Sequence, residues 1–318
     1  MTLLKQTILL LCISGLMSTA HAQKADKDSP TVVNVEAIFD GNTGQHVFKT
    51  DTKEIPSGWT TFRFTNASYA THFLIVEHYP PGKTAADISE VGPVFQDAMA
   101  LINAGKRDEG MAKLGELPEW FKNVTMMGGP GLTGPGHTTE TTVKLVPGNY
   151  AIECYIKNEK RIFHSGLGMF RELIVTDEQH DATPPVPSIE MSLTNAGFGV
   201  KGNLTPGKHV VAVHFNEKNP PLYGNDVHLA KLDKDTDLAT VTKWMDWTQP
   251  DGFISTHERP APVTFLGGTH EMPMGNIAYF KVDLQPGRYA WISERSADNP
   301  LYEEFTIPSV VSTEKASQ

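Results

Sequence analysis

The chain consists mainly of short runs rich in Val, Ile, Phe and Tyr, separated by Pro-Gly and similar turn dipeptides. Runs of this kind between turn residues are typical of antiparallel β-strands. The predicted strands include 60–64, 73–76, 141–145, 150–156, 172–176, 209–215, 278–282 and 289–292. Apolar residues recur instead at helical spacing in 94–102 and 238–247, which we interpret as helical insertions between strands.

The two halves of the chain resemble each other. Residues 128–150 align without a gap with residues 267–289, and each segment opens with a Gly-Gly pair and closes on a Pro-Gly-x-Tyr turn. Self-similarity of this length indicates one structural unit used twice. We therefore predict an all-β protein of two tandem Greek-key β-sandwiches with short helical insertions. The predicted parts are a first domain at 30–178, a polar, proline-bearing linker at 179–188, a second domain at 189–310 and a tail at 311–318.

Residues 1–22 have the layout of a cleaved secretory signal, with Lys5, a short apolar run and the small-residue site Ala20-His21-Ala22. No stretch approaches the roughly 18 to 20 apolar residues that a membrane span requires. We therefore expect a periplasmic protein that begins at Gln23 and has no membrane span. The formal net charge of −10 argues against nucleic acid or an anionic lipid surface as a partner.

The cysteine content narrows the chemistry. Of the two cysteines in the chain, only Cys154 remains once the signal is removed. An exported chain with a single thiol cannot form an intramolecular disulfide. Cys154 is therefore a buried small hydrophobic residue, a partner in an intermolecular disulfide or a metal ligand, and composition alone does not choose among these.

The residues that accompany Cys154 favour the metal ligand. His164 and Met169 follow it in the chain, and His72 comes after an earlier strand. A soft thiolate, two imidazoles and a weak axial thioether accommodate both Cu(I) and Cu(II).

The internal repeat serves as a control for this assignment, because a residue needed only for the scaffold should occur in both copies. The alignment places Ser293 opposite Cys154 and Leu301 opposite Met169, and the segment around His164 has no counterpart. Only His72 has one, namely His228, which we interpret as a half-buried histidine with its hydrogen bonds satisfied.

At these residues the chain resembles the cupredoxins, the small blue copper proteins such as plastocyanin. The residues that carry the resemblance are Pro147-Gly148-Asn149-Tyr150, then Cys154, then His164 and Met169 with four residues between them. The resemblance implies a β-sandwich that holds one copper ion through His72, Cys154, His164 and Met169. It extends to the second domain in scaffold only.

The sequence departs from the family in two places. Nine residues separate Cys154 from His164, where the family usually has two to four, so the ligand loop is long and the trigonal geometry around the copper is expected to be looser. Phe73 follows His72 where many members have an asparagine that steadies the cysteine loop. Three other histidines, His46, His78 and His137, we interpret as surface or loop residues.

A second, thiol-free site is conceivable at His270-Glu271-Met272-Pro273-Met274, where histidine and methionine would suit Cu(I). Packing is the simpler interpretation of these methionines.

The leading functional hypothesis is single-electron transfer with a redox or copper-trafficking protein partner, His164 lying near the surface as the exit for the electron. The alternative is a copper carrier or buffer without fast redox cycling. An enzyme is not expected, because the chain has no His-x-His pair and Glu153 and Tyr155 flank Cys154. A metal-free interaction module is a further alternative, since folds of this kind also serve as binding surfaces.

Overall fold

The structure, a computed structural model, describes residues 28–220 and 222–309. The predicted signal at 1–22, its cleavage before Gln23 and the tail at 311–318 lie outside the described residues. No helix in the described part of the chain is both long and apolar enough to cross a bilayer.

The first half of the described chain contains eight strands and two α-helices. The strands are β1 (Thr31–Asp40), β2 (Gln45–Thr50), β3 (Glu54–Asn66), β4 (Ile75–His78), β5 (Thr125–Met126), β6 (Thr138–Leu145), β7 (Gly148–Glu153) and β8 (Phe170–His180). The helices are α1 (Gly92–Asn103) and α2 (Arg107–Leu114), and 3₁₀ turns form at Ala85–Glu90, Glu119–Asn123 and His164–Leu167.

The second half of the described chain contains eight further strands and one α-helix. The strands are β9 (Ile189–Thr194), β10 (Gly197–Lys201), β11 (Gly207–Phe215), β12 (Val227–Leu232), β13 (Thr264–Thr269), β14 (Ile277–Leu284), β15 (Gly287–Ser293) and β16 (Leu301–Ile307). The helix is α3 (Leu238–Met245), which begins where the Asp237 side chain accepts hydrogen bonds from the free N–H groups of Ala239 and Thr240.

The strands of the two halves are arranged in the same order. In the first half one layer runs β2-β1-β3-β6 and the other β5-β4-β7-β8, and in the second half the layers run β10-β9-β11-β14 and β13-β12-β15-β16. Strands β6 and β7 begin 139 residues before β14 and β15, which is the offset of the sequence repeat. The predicted fold class, two tandem β-sandwiches with few helices, is confirmed.

A tyrosine closes the same turn in each half. The Tyr150 hydroxyl donates a 2.8 Å hydrogen bond to the carbonyl of Val146, and the Tyr289 hydroxyl donates one of 2.8 Å to that of Gln285. Both rings are buried. The Pro-Gly-x-Tyr similarity therefore reflects a turn whose backbone carbonyl is satisfied by a side chain from the strand that follows.

The two domains are joined edge to edge. Strand β6 pairs antiparallel with its counterpart β14, so that one twelve-stranded sheet passes through both halves. Beside this pair, the Gly131 N–H donates to the Gly268 carbonyl, and the His270 N–H donates to the Gly129 carbonyl. We call the paired segments 128–134 and 265–271 the seam.

The glycine pairs are required where each seam segment packs closely against a neighbouring segment of its own domain. Gly129 and Gly268 have φ values of 114° and 130°, which side chains other than hydrogen seldom allow. A Cβ on Gly129 would collide with the carbonyl of Leu74, and one on Gly268 with that of Val227. The buried apolar residues form one core that continues across the seam.

Most predicted strands lie within observed ones, but two boundaries differ. The strand predicted at 73–76 is observed at Ile75–His78, and the one predicted at 150–156 ends at Glu153. Helices predicted at 94–102 and 238–247 are observed as α1 and α3. Strand β8 runs to His180, two residues into the predicted linker, and the domain boundaries stay a prediction.

Candidate metal centre

Cys154 lies directly after β7, where the strand leaves its sheet. Its side chain is fully buried and forms no disulfide. Its N–H donates a 3.1 Å hydrogen bond to the carbonyl of Met169, which ties the end of this strand to the start of β8. The backbone therefore holds the thiol and the methionine segment side by side.

His72 is positioned from the opposite side by a short bridge to the seam. Its N–H donates to the Thr133 carbonyl at 3.2 Å, and the Thr133 N–H donates back to the His72 carbonyl at 2.7 Å. The Nδ1 atom lies 3.7 Å from Cys154 Sγ, and Nε2 lies 2.8 Å from Ser68 Oγ. Ser68 thus fixes the ring so that Nδ1 faces the sulfur.

His164 completes the cluster from the 3₁₀ turn His164–Leu167. Its N–H donates to the Ile156 carbonyl at 2.8 Å, and its carbonyl accepts from the Met169 N–H at 3.0 Å. The ring is 1% exposed, yet neither of its nitrogens has a hydrogen-bond partner among the described residues. A buried polar group without a partner costs roughly 1–3 kcal/mol, so this ring calls for a ligand.

The three side chains form a compact donor set. One ligand atom each from His72, Cys154 and His164 lies within 4.8 Å of the others, and Met169, whose backbone hydrogen-bonds to Cys154 and His164, is fully buried. Two imidazoles and a thiolate are donors suited to copper. The structure thus gathers the predicted residues in one place, and their role as copper ligands stays a prediction.

Burial sets the protonation of this cluster in the metal-free protein. Burial raises the pKa of the Cys154 thiol to about 12. Burial, together with the neighbouring imidazoles, lowers the pKa values of His72 and His164 well below the usual range. Both rings are therefore neutral near pH 7 and keep a lone pair for a metal, whereas the thiol loses its proton only when a cation replaces it.

The long loop between Cys154 and His164 is held by the second domain. The Lys157 N–H donates to the Phe253 carbonyl at 2.8 Å, and the Lys157 carbonyl accepts from the Ser255 N–H at 3.0 Å. Farther along, Arg161 Nη2 lies 2.8 Å from the Asp251 carboxylate. The extra residues of the loop are therefore used for contacts between the domains, and the looser copper geometry stays a prediction.

His46 is the residue that the sequence analysis misjudged most. It was predicted to be a surface or loop histidine, but it is 5% exposed and its ring lies 4.7 Å from the rings of both His72 and His164. Its Nδ1 lies 3.3 Å from His72 Nε2. Burial lowers the pKa of His46 to about 4, so it packs on the cluster as a neutral ring. The alternation of β2, which turns His46 and Phe48 inward, was the available signal.

The predicted surface position of His164 is also wrong. The His46 ring covers the cluster, and the rings of Phe39 and Tyr69 pack in turn on His46 at 5.3 Å and 4.8 Å. Phe39 is 40% exposed. One aromatic path from the cluster to the surface therefore leads through His46.

A second buried cluster lies in the second domain, where one ligand atom each from Asp226, His228 and His270 lies within 4.8 Å of the others. His228 has its hydrogen bonds satisfied, as predicted, but it is fully buried rather than half-buried. The two methionines of the site considered around His270 lie in different environments, since Met272 is buried while Met274 is 53% exposed.

A cavity of about 1080 Å³ lies beside this second cluster. Its walls are largely apolar side chains, many of them from α1 and the segments that follow it. Five carboxyl groups also reach it, namely those of Glu77, Glu153, Asp226, Glu271 and Glu294. Sequence reasoning missed this feature, because the five carboxyl groups come from five separate segments of the chain.

Comparison with known proteins gives a likeness to copper proteins at low identity. Auracyanin A, a "blue" copper protein from Chloroflexus aurantiacus, matches 46% of this chain over 100% of its own length, with 19% identity and a TM-score of 0.29. A multicopper oxidase matches 87% of this chain over 88% of its own, with 12% identity and a TM-score of 0.23. The copper nitrite reductase from Nitrosomonas europaea matches 89% over 95%, with 11% identity and a TM-score of 0.25. No family model and no curated protein matches the chain.

The prediction that the protein is not an enzyme has to be corrected. The solved structures that match include multicopper oxidases and copper nitrite reductases, which are enzymes, as well as auracyanins, which are not. Histidines can also be gathered in space without a His-x-His pair. His228 and His270 are 42 residues apart in sequence and meet across two strands.

Proposed function

We propose that this protein binds one copper ion in its first domain and transfers single electrons in the periplasm. The observation that carries the proposal is the buried cluster of His72, Cys154 and His164, whose ligand atoms lie within 4.8 Å of one another. Met169 would supply the weak axial donor. Copper bound there would supply a one-electron redox couple, and the protein's contribution is a dry, preformed ligand set.

The rigidity of the cluster favours electron transfer over copper carriage. His72 is held at both its backbone and its ring, and the loop to His164 is anchored by Lys157 and Arg161 on the second domain. A ligand set that changes little between Cu(I) and Cu(II) lowers the reorganisation needed for each electron. A carrier must instead open its site to release the ion, and the buried His164 offers no such opening.

The partner that we propose is a redox protein that docks over the aromatic side chains outside His46. The ring of Tyr69 contacts both that of Phe39 and that of the exposed His257. The alternative function, a copper carrier or buffer, would draw on the same ligands with a copper-trafficking partner.

The decisive experiment is visible absorption of the purified protein during titration with Cu(II). Electron transfer predicts an intense sulfur-to-copper charge-transfer band and a rapid, reversible reduction. A pale protein with a preference for Cu(I) would favour the carrier instead.

The variant Cys154→Ser tests the ligand assignment. We expect the band to disappear while the fold remains, because the second domain already has Ser293 at this position. The surface variant His214→Ala, which removes an imidazole paired with Glu190, serves as the control and should keep the band. Unchanged copper affinity in Cys154→Ser would contradict the assignment.

A further inference from the structure

We propose that the second domain binds a second metal ion, a divalent cation held by Asp226 and His270 with Glu271 beside them, at the end of the large cavity. The proposal goes beyond the copper function and does not depend on it. Three features support a metal there: an imidazole without hydrogen-bond partners, buried carboxyl groups that form no ion pair with lysine or arginine, and the position of the cluster in the repeat.

His270 is the first observation. Its side chain is fully buried, and neither ring nitrogen has a hydrogen-bond partner among the described residues. Nδ1 lies 3.8 Å from the Glu271 carboxylate, which is beyond hydrogen-bonding distance. A ring in this state has donor atoms available to a ligand, and the same is true of His164 in the first domain.

The carboxylates are the second observation. Asp226, Glu294 and Glu77 are 2%, 4% and 3% exposed, and the Glu77 Oε2 atom has no hydrogen-bond partner. Within the described residues none of them forms an ion pair with lysine or arginine. Burial raises the pKa values of Glu77 and Glu294 well above their usual range, so these two groups stay neutral until a cation binds beside them.

The nearest buried arginine does not serve this purpose. Arg295 donates instead to the carbonyl of Gly224 and to the side chain of Asn225. Its charge therefore anchors the loop before β12 rather than neutralising the cavity. Lys160 and Arg161 also line the cavity, and the Arg161 guanidinium is paired with Asp251.

His228 has a different role from His270. Its Nδ1 accepts the N–H of Leu132 at 3.0 Å, which leaves the ring proton on Nε2, and Nε2 donates to Asp226 Oδ2 at 3.0 Å. The ring therefore has no free lone pair for a metal. We assign it as a positioning residue that holds Asp226, in the manner of the outer partners that orient metal ligands.

Asp226 is oriented from three directions. Oδ1 accepts from the Ser293 hydroxyl at 2.6 Å and from the Glu294 N–H at 2.8 Å, and Oδ2 accepts from His228. A carboxylate oxygen has two lone pairs, so Oδ2 keeps one for a cation.

The place of the cluster in the repeat explains its chemistry. Ser293 occupies the position of Cys154, and His228 that of His72. The soft thiolate is thus replaced by oxygen donors. Imidazole and carboxylate suit Zn²⁺, Mn²⁺ or Fe²⁺ and have little affinity for Cu(I). Because Asp226 and Glu271 also line the cavity, a bound ion would keep coordination positions open on that side.

The two clusters are close enough that a test has to measure both. Phe73, which follows His72, packs its ring 4.4 Å from that of His270, and Tyr155, which follows Cys154, donates to Glu294 at 3.0 Å. A change at one cluster can therefore disturb the other through a single neighbouring residue.

The test is zinc binding by the mature protein after its first centre has been loaded with copper. Calorimetry with Zn²⁺ alone as the probe, together with metal analysis, should give one zinc per chain. We expect His270→Ala to weaken zinc binding at least 100-fold and Glu271→Gln about 10-fold. Removal of the positioning ring in His228→Gln should weaken it about 10- to 100-fold. His214→Ala should bind zinc as the wild type does.

Three results would overturn the second site: no zinc binding by the wild type, equal zinc affinity in His270→Ala and the wild type, or an equal loss in His214→Ala. Circular dichroism checks the fold, and His270→Gln, which keeps a polar side chain, replaces His270→Ala if the alanine variant does not fold. The copper band is recorded in the same samples. If the copper band is absent while zinc binding still depends on His270, the copper function is rejected and the second site stands.

Discussion

At the scale of single residues, the first centre depends on side chains that bind no metal. His72 Nε2 faces both Ser68 Oγ and His46 Nδ1, at 2.8 Å and 3.3 Å. These contacts fix the ring rotation that turns Nδ1 toward Cys154. Outer partners of this kind control metal affinity although they touch no metal.

His46→Phe tests this control. The change keeps an aromatic ring of similar size between His72 and His164 but removes the nitrogen that faces His72 Nε2. We expect copper affinity to fall about 10-fold while the charge-transfer band remains, because Ser68 still orients the ring. Competition with a chelator measures the affinity, and His137→Phe in a loop is the control. A lost band would mean that His46 itself is a ligand.

At the scale of elements, the repeat makes a matched pair of experiments available. Tyr150→Phe and Tyr289→Phe each remove one hydroxyl that donates to a backbone carbonyl at 2.8 Å in the same turn. We expect each to lower the free energy of unfolding by about 1 kcal/mol. Urea unfolding measures the two values, which should agree closely. A large effect from one and none from the other would show that the turns are not equivalent.

The element scale is where the sequence was most informative. The glycine pairs and the Pro-Gly-x-Tyr turns predicted the repeat because a positive φ and a closed turn each demand a particular residue type. The same alignment of the two halves placed Ser293 opposite Cys154, which marked the cysteine as particular to the first domain. The inward direction of His46 was missed because β2 is only six residues long and its alternation was not used.

A buried lysine in the ligand loop gives stability a dependence on pH. Burial lowers the pKa of Lys157 from its usual 10.5 to about 7, and its ammonium lies within 2.9 Å of the carbonyls of Trp247 and Gln249. The unfolded chain therefore binds more protons than the folded one between about pH 7 and 10.5. Stability then rises with pH in this window, and the penalty is complete below pH 7.

Lys157→Met removes this dependence. We expect the free energy of unfolding of the wild type to gain on that of the variant by up to about 1.4 kcal/mol per pH unit from pH 7.5 to 9.5. Urea unfolding at several pH values measures the difference. Lys160→Met, an exposed lysine of the same loop, should track the wild type. A difference that is constant with pH would mean that Lys157 is charged in the folded protein.

At the scale of the whole molecule, the two domains share one sheet and one core, and we expect them to unfold as one cooperative unit. The sequence predicted two sandwiches but not the β6–β14 pairing, because hydrophobic alternation within a strand carries no information about which outer strand it meets. The second cluster escaped prediction for a similar reason, since Asp226, His228 and His270 converge only once β12 pairs with β13.

Phe253 is the side chain best placed to test this unity. It is fully buried in the second domain, its ring lies 6.0 Å from those of Phe73 and Tyr155, and its carbonyl accepts the Lys157 N–H. Phe253→Ala should lower the free energy of unfolding by about 3–5 kcal/mol, as is usual for a buried aromatic ring. Because the space left by the missing ring also loosens the loop that carries His164, copper affinity should fall in the same variant.

The control is Phe198→Ala in β10, which removes a buried ring on the outer edge of the second domain. We expect it to reduce stability and leave copper affinity unchanged, since β10 lies at the far end of the long sheet from β4 and β5. Calorimetry should give a single transition for the wild type and for both variants. Two separate transitions, of which Phe253→Ala lowers the temperature of only one, would contradict this unity. Each sandwich would then fold independently of the other.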